Sequence, residues 1–128
     1  MSPLATPLNH NLFMPDFFYK CVITGEGPLE NPSISLEGRA ISLVSSDGKK
    51  TWRNKGKSVK ISVAGLLQIA MSCQAPGRVD YVFKVDNSDG NGKIKCNVFT
   101  EDGFTGDSGA GFSEKSTSVK PDCSSLAL

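Results

Sequence analysis

Alternation of apolar and polar residues is the main structural signal along this chain. It runs through residues 33–36, 58–63 and 79–85, and a period of two residues is typical of half-buried β-strands. Between two apolar segments, Asp47-Gly48 has the composition of a tight hairpin turn. With the Gly, Pro, Asp and Asn residues that separate the segments, the pattern predicts a mostly β protein of about eight strands, an antiparallel β-sandwich or barrel.

One segment, residues 62–74, fits two readings. Every second residue from Leu67 to Cys73 is apolar, which favours a strand. The same segment is rich in helix-forming residues, Ser62 could cap a helix there, and Pro76-Gly77 would end it. The strand is the preferred interpretation, and an α+β fold with one helix near residues 62–74 is the alternative.

The domain organisation follows from length and proline content. Residues 1–16 contain three prolines without apolar periodicity and predict an extended N-terminal arm. Residues 17–128 are then predicted to form a single globular domain, because two domains of half that size would lack sufficient cores.

Charge and composition exclude several classes of function. The chain has 14 Lys and Arg against 13 Asp and Glu, so the whole molecule has no strong attraction for nucleic acid or membranes. No apolar run is long enough to span a bilayer, and no membrane insertion is expected. No cofactor motif is present, and we expect neither a cofactor nor a metal.

Four cysteines in a chain of this size indicate disulfides, because no Cys-x-x-Cys pair is present to suggest zinc or redox chemistry. Of the three possible pairings, the preferred one joins Cys21 to Cys123 and Cys73 to Cys96. Two disulfides predict a secreted protein. Because residues 1–8 lack the features of a signal peptide, this prediction requires that one was removed.

The densest chemical signal is a basic segment at residues 49–60, with six of the 14 cations and the only tryptophan. Such a segment could bind a glycan or a nucleic acid, with the indole stacking on a sugar ring or base. Lysines on an edge hairpin also prevent sheet-to-sheet aggregation, so a structural role stays open. The candidate binding residues are Lys49, Lys50, Trp52, Arg53, Lys55, Lys57 and Lys60.

Three other patterns carry less weight. The spacing of acidic and amide residues from Asn87 to Ile94 imitates a calcium loop, but Val98 replaces the required bidentate glutamate, so a hairpin turn is predicted instead. His10, the only histidine, has no neighbour to orient it, and no catalytic residue is assigned. Carboxylates such as Glu26 and Glu101 leave hydrolase chemistry open as a minor alternative.

Tyr19-Lys20-Cys21 near the start of the folded part, with Cys123 near its end, resembles the Tyr-x-Cys start and terminal cysteine of small secreted effectors of plant-pathogenic fungi. The resemblance implies a non-enzymatic virulence protein that acts by binding a host molecule. It leaves room for recognition by a host immune receptor and for delivery into host cells.

The expected function is therefore that of a secreted binding protein with a host protein as its partner. The alternative is a carbohydrate- or nucleic-acid-binding module centred on Trp52 and the basic segment.

Overall fold

The computed structural model describes residues 16–106, 111–121 and 123. Every regular element in these residues is a β-strand, so the protein is mostly β, as the alternating pattern predicts. The ten strands are β1 (Asp16–Gly25), β2 (Glu30–Leu36), β3 (Arg39–Ile41), β4 (Leu43–Val44), β5 (Thr51–Asn54), β6 (Val59–Ser62), β7 (Leu67–Ala75), β8 (Asp80–Ser88), β9 (Ile94–Phe104) and β10 (Gly111–Val119).

The strands form two antiparallel sheets. The larger sheet has six strands in the order β4-β5-β1-β8-β9, with β6 also paired to β1. The smaller sheet has four strands in the order β10-β7-β2-β3. Strand β1 is central to the larger sheet because it pairs with β8 on one side and with β5 and β6 in succession on the other.

The segment that could have been a helix is strand β7. It pairs with β10 on one side and with β2 on the other, and alternate side chains from Leu67 to Ala75 are buried. The alternative α+β fold is therefore wrong. A central strand needs an apolar face, and the alternation from Leu67 to Ala75 supplies one.

The predicted hairpin at Asp47-Gly48 is confirmed, since β4 pairs with β5 in antiparallel register. The Asp47 carboxylate accepts a hydrogen bond from the Thr51 N–H at 2.8 Å, and Gly48 and Lys49 both adopt positive φ angles. Between β3 and β4, at Ser42, the chain passes from the smaller sheet to the larger one.

Both sheets contribute to one hydrophobic cluster. Its members come mainly from alternate positions of β1, β2, β7 and β8, which is why these strands show the clearest period of two. The largest fully buried side chains include Tyr19, Phe83, Ile23, Leu29, Ile34, Leu36 and Leu67.

The structure contains one disulfide, which joins Cys96 on β9 to Cys123. Cys21 and Cys73 are free thiols buried in the hydrophobic cluster. The predicted pairs Cys21–Cys123 and Cys73–Cys96 are therefore corrected. Cys21 and Cys73 point into the core from β1 and β7, which are inner strands of their sheets, whereas β9 lies at a sheet edge where a segment after β10 can approach it.

Two further expectations concern the chain ends and membranes. The arm predicted for residues 1–16 lies outside the described residues except for Asp16, where β1 begins. Within the part of the chain that is described, there is no helix with the length and hydrophobicity needed to cross a membrane.

Candidate functional site

The basic segment at residues 49–60 is split between two faces of the larger sheet. It comprises β5, the first two residues of β6 and the loops beside them. Successive side chains of a strand point to opposite faces. Arg53 lies opposite Val22 of β1, whereas Trp52 lies opposite the buried Ile23. The seven residues predicted as one binding patch therefore do not form one.

Trp52 packs on the core side of the sheet. Its ring contacts the hydrophobic cluster, and its indole N–H donates to the carbonyl oxygens of Leu29 at 3.1 Å and Lys49 at 2.9 Å. These contacts tie the β4–β5 turn to the segment before β2. In this position the indole supports the fold and is not presented to a ligand on the opposite face.

The remaining predicted lysines occupy turns and loops, apart from Lys60. Lys49 forms an ion pair with Glu30 at 3.2 Å. Lys50 is exposed beside it, and its carbonyl accepts the Gly25 N–H at 2.7 Å. Lys55 and Lys57 lie in the exposed loop between β5 and β6.

The face of the larger sheet that is turned away from the hydrophobic cluster, here called the outer face, brings other cations together. Val22 lies between Arg53 of β5 and Lys84 of β8 in a single cross-strand row. Lys20 lies two residues along β1 from Val22. Residues directly opposite one another share a face, so Lys20, Arg53 and Lys84 form one basic patch.

Lys60 is also on this face, because it lies opposite Phe18 of β1. It therefore extends the basic patch toward the start of β1. Of the predicted residues, the structure places only Arg53 and Lys60 on the outer face.

Lys20 and Lys84 are not among the binding residues predicted from the sequence. Each lies between two buried residues of its own strand, so alternation alone shows that both are solvent-facing. What it does not show is that β1 and β8 are neighbours, because strands distant in sequence carry no local pairing signal.

The basic patch is electrostatically unbalanced. In the described ranges, no carboxylate lies within ion-pair distance of Lys20, Arg53 or Lys84. Asp86 lies opposite Lys20, but it is buried, and its carboxylate accepts a hydrogen bond from the Asn97 side-chain amide at 2.9 Å. With one carboxylate against three cations, the patch carries a net positive charge on a rigid, strand-supported surface.

The opposite end of the outer face is acidic and aromatic. A cavity of about 460 Å³ there, here called the end cavity, is lined by Glu26, Asp102 and Phe104 among others. The Arg78 guanidinium lies 4.1 Å from the centre of the Phe104 ring and forms an ion pair with Asp80 at 3.2 Å. The outer face is thus basic at its centre and acidic at one end.

The described residues contain no group of three or more His, Cys, Asp and Glu side chains that could hold a metal ion. The Asp89 carboxylate accepts the Asn91 and Lys93 N–H groups at 2.8 and 2.9 Å, so the calcium-like spacing folds as the predicted hairpin turn between β8 and β9. His10 lies outside the described residues.

The two free thiols are poor nucleophiles. Burial raises the pKa of Cys21 to about 12, with a smaller contribution from the Asp86 carboxylate. Burial also raises the pKa of Cys73 to about 11. Because only the thiolate reacts readily, neither cysteine is suited to covalent catalysis at neutral pH.

No protein-family model, no curated protein and no solved structure matches this chain. The polarised outer face is therefore the basis for a functional proposal.

Proposed function

We propose that this chain is a non-enzymatic binding protein that recognises an acidic surface of a host protein through its basic patch. The observation that carries the proposal is the row formed by Arg53, Val22 and Lys84, with Lys20 beside it, on one sheet face. These cations have no ion-pair partner in the residues that are described. Unpaired surface cations arranged on a rigid element are suited to steer and orient an anionic partner.

A protein partner fits the basic patch better than a nucleic acid. Single-stranded nucleic acids are bound where exposed aromatic rings lie beside cations. Trp52 packs on the core side of the sheet, and the exposed Phe104 lies at the acidic end of the outer face. The net charge of the chain is +1, so it lacks the broad positive field that dominates phosphate binding.

The proposal includes an open, two-layer sandwich as the scaffold and an extracellular origin. The scaffold is supported by the single hydrophobic cluster to which both sheets contribute, and the origin by the Cys96–Cys123 disulfide, since disulfides persist in oxidising compartments. The effector role rests on the resemblance at Tyr19-Lys20-Cys21 and Cys123. Recognition by an immune receptor and entry into host cells belong to the same proposal.

Site-specific photo-cross-linking tests the partner face. A photoreactive phenylalanine analogue replaces Val22, at the centre of the basic patch, or Ala70, which lies between Ser35 and Ser116 in the smaller sheet. Nuclease-treated plant extract supplies the partner. We expect a discrete protein adduct from position 22 and none from position 70.

Charge reversal supplies the matched control. Arg53→Glu/Lys84→Glu changes the net charge by the same amount as Lys50→Glu/Lys120→Glu, which alters exposed lysines outside the patch. Only the first pair should abolish the adduct at position 22. Equal loss with both pairs, adducts only from position 70, or an adduct that forms in untreated extract but not in nuclease-treated extract would each contradict the proposal.

A further inference from the structure

The end cavity is a second candidate site on the outer face, separate from the basic patch. It lies where the β1–β2 turn, the β7–β8 turn and the end of β9 meet. Its volume of about 460 Å³ falls within the range of roughly 300–1,000 Å³ that small-molecule sites occupy. Its walls combine an aromatic ring, carboxylates, a guanidinium and a hydroxyl group.

Phe104 provides an exposed aromatic surface. Its side chain is 53% exposed although it belongs to a strand, and it lies opposite Asp80 of β8. Arg78 lies over one face of the ring, so the apolar area open to a ligand is on the side that Arg78 leaves uncovered. Apolar area exposed in this way contributes nothing to folding. The apolar C–H face of a sugar ring is a partner that such a surface can cover.

The polar groups around Phe104 are suited to hydroxyl groups. Glu26 and Asp102 have no ion pair or side-chain hydrogen bond within the described chain, so both carboxylates are free to accept hydrogen bonds. Thr24 adds a hydroxyl beside them. Arg78 is held by Asp80, and a guanidinium has more donors than one carboxylate oxygen uses.

The charge of the cavity narrows the class of ligand. Three carboxylates against one guanidinium leave an excess of negative charge, which repels uronic acids and sulfated sugars. The position over the ring that would suit a cationic ligand is already occupied by Arg78. The two free carboxylates need hydrogen-bond donors, and the hydroxyl groups of an uncharged sugar ring supply them.

We infer that the end cavity binds a neutral pyranose unit of an oligosaccharide, with its C–H face on Phe104 and its hydroxyl groups on Glu26 and Asp102. This assigns carbohydrate binding to a different surface from the one centred on Trp52, which the sequence offers as an alternative. The site is independent of the basic patch and of the protein partner proposed for it.

NMR titration of the full chain tests the inference. The probes are neutral tetrasaccharides of β-linked glucose, xylose, mannose and N-acetylglucosamine, with tetragalacturonate as the acidic comparison. At least one neutral probe should shift the amide resonances of Thr24, Val82 and Gly103. The acidic probe should leave them unchanged.

Variants then locate the site. Phe104→Ala should weaken binding about tenfold because it removes the stacking surface. Ile94→Ala is the matched control, since Ile94 is 52% exposed at the other end of the same strand. Asp102→Asn should also weaken binding about tenfold, because a charged acceptor is replaced by an amide, and the amide spectrum of each variant checks its fold.

Three results would overturn the inference: no neutral probe binds, tetragalacturonate binds as well as the neutral probes, or Phe104→Ala binds as tightly as Ile94→Ala. The double variant Arg53→Glu/Lys84→Glu should retain sugar binding. Failure of the protein-partner proposal is therefore distinguishable from failure of this one.

Discussion

Gly103 and Tyr81 show how one residue's size fixes the position of another. They lie opposite one another on β9 and β8, and Tyr81 is almost fully buried with its hydroxyl hydrogen-bonded to Ser113 of the smaller sheet. A Cβ atom at position 103 would lie 2.5 Å from the Tyr81 hydroxyl oxygen and 2.6 Å from Cζ. The absence of a side chain at Gly103 is therefore what lets Tyr81 cross between the sheets.

Gly103→Ala should destabilise the protein by about 1–3 kcal/mol, because a buried tyrosine ring cannot move aside without disturbing the core. Urea unfolding measures the change. Gly27→Ala is the control, since its new Cβ would meet nothing closer than Val79 at 3.6 Å. The Gly103→Ala change should be smaller in a Tyr81→Phe background, and an equal change in both backgrounds would rule out the hydroxyl contact as the cause.

The outer face shows which residues a sequence pattern can assign to one side of a strand. Alternation along β5 separates Trp52 from Arg53 once the strand is recognised, and it marks Lys84 as solvent-facing between two buried residues. Which cations meet depends on the pairing of β1 with both β5 and β8. That pairing is decided by side chains distant in sequence and is absent from any local pattern.

At the scale of elements, alternation identified the strands well where one face is buried. Strand β7 illustrates this, because its period of two outweighed the helix-forming composition of the same residues. The change of sheet at Ser42 was not predictable, since four of the five residues from 40 to 44 are apolar and no Gly or Pro interrupts them. The disulfide pairing was missed for a related reason, because it depends on which strand ends lie together in space.

The segment after β10 is held to the larger sheet by more than its disulfide. The carbonyl oxygen of Pro121 accepts hydrogen bonds from the Tyr19 hydroxyl and the Asn87 side-chain amide, each at 3.0 Å. Tyr19 and Asn87 are both buried, so this carbonyl serves two donors that are largely removed from water. The Cys96–Cys123 disulfide already restricts this segment. Little further conformational entropy is therefore lost when the two hydrogen bonds hold the carbonyl.

Cys123→Ser should therefore lower the free energy of unfolding by about 3–4 kcal/mol, the chain-entropy value for a loop of 27 residues. Urea unfolding with and without a phosphine reductant measures it. Reduction should bring the wild-type midpoint to that of the variant and leave the variant unchanged. If the oxidised wild type and Cys123→Ser unfold at the same urea concentration, the disulfide does not stabilise this fold.

At the scale of the whole molecule, the two sheets present outer faces of different character. The outer face of the larger sheet carries the basic patch at its centre and the end cavity at its acidic end. The outer face of the smaller sheet has small residues at its centre, such as Ser35, Ala70 and Ser116. Because the core is built from the other faces, residues on the outer faces can vary without loss of the fold, which is where binding specificity can reside.

The titratable groups define a pH range in which this molecule is most stable. A hydrogen bond from Thr51 holds the pKa of Asp47 below its ordinary value, and the N–H groups of Lys93 and Asn91 do the same for Asp89. The unfolded chain therefore binds protons more readily than the native state in acid. Stability from these groups is present above the ordinary aspartate pKa and is lost as pH falls through the native value.

At alkaline pH the dependence is reversed, and the free energy of unfolding falls as pH rises. Burial raises the pKa of Cys21 to about 12 and of Cys73 to about 11, from an ordinary value of 9.0, so the unfolded chain releases these protons first. Above about pH 9 each thiol should lower the free energy of unfolding by about 1 kcal/mol per pH unit. Urea unfolding from pH 6 to 11 measures the slope, and mass spectrometry after each titration checks for disulfide exchange. Cys21→Ala should make the alkaline decline shallower, whereas an unchanged slope would show that this thiol does not titrate on unfolding.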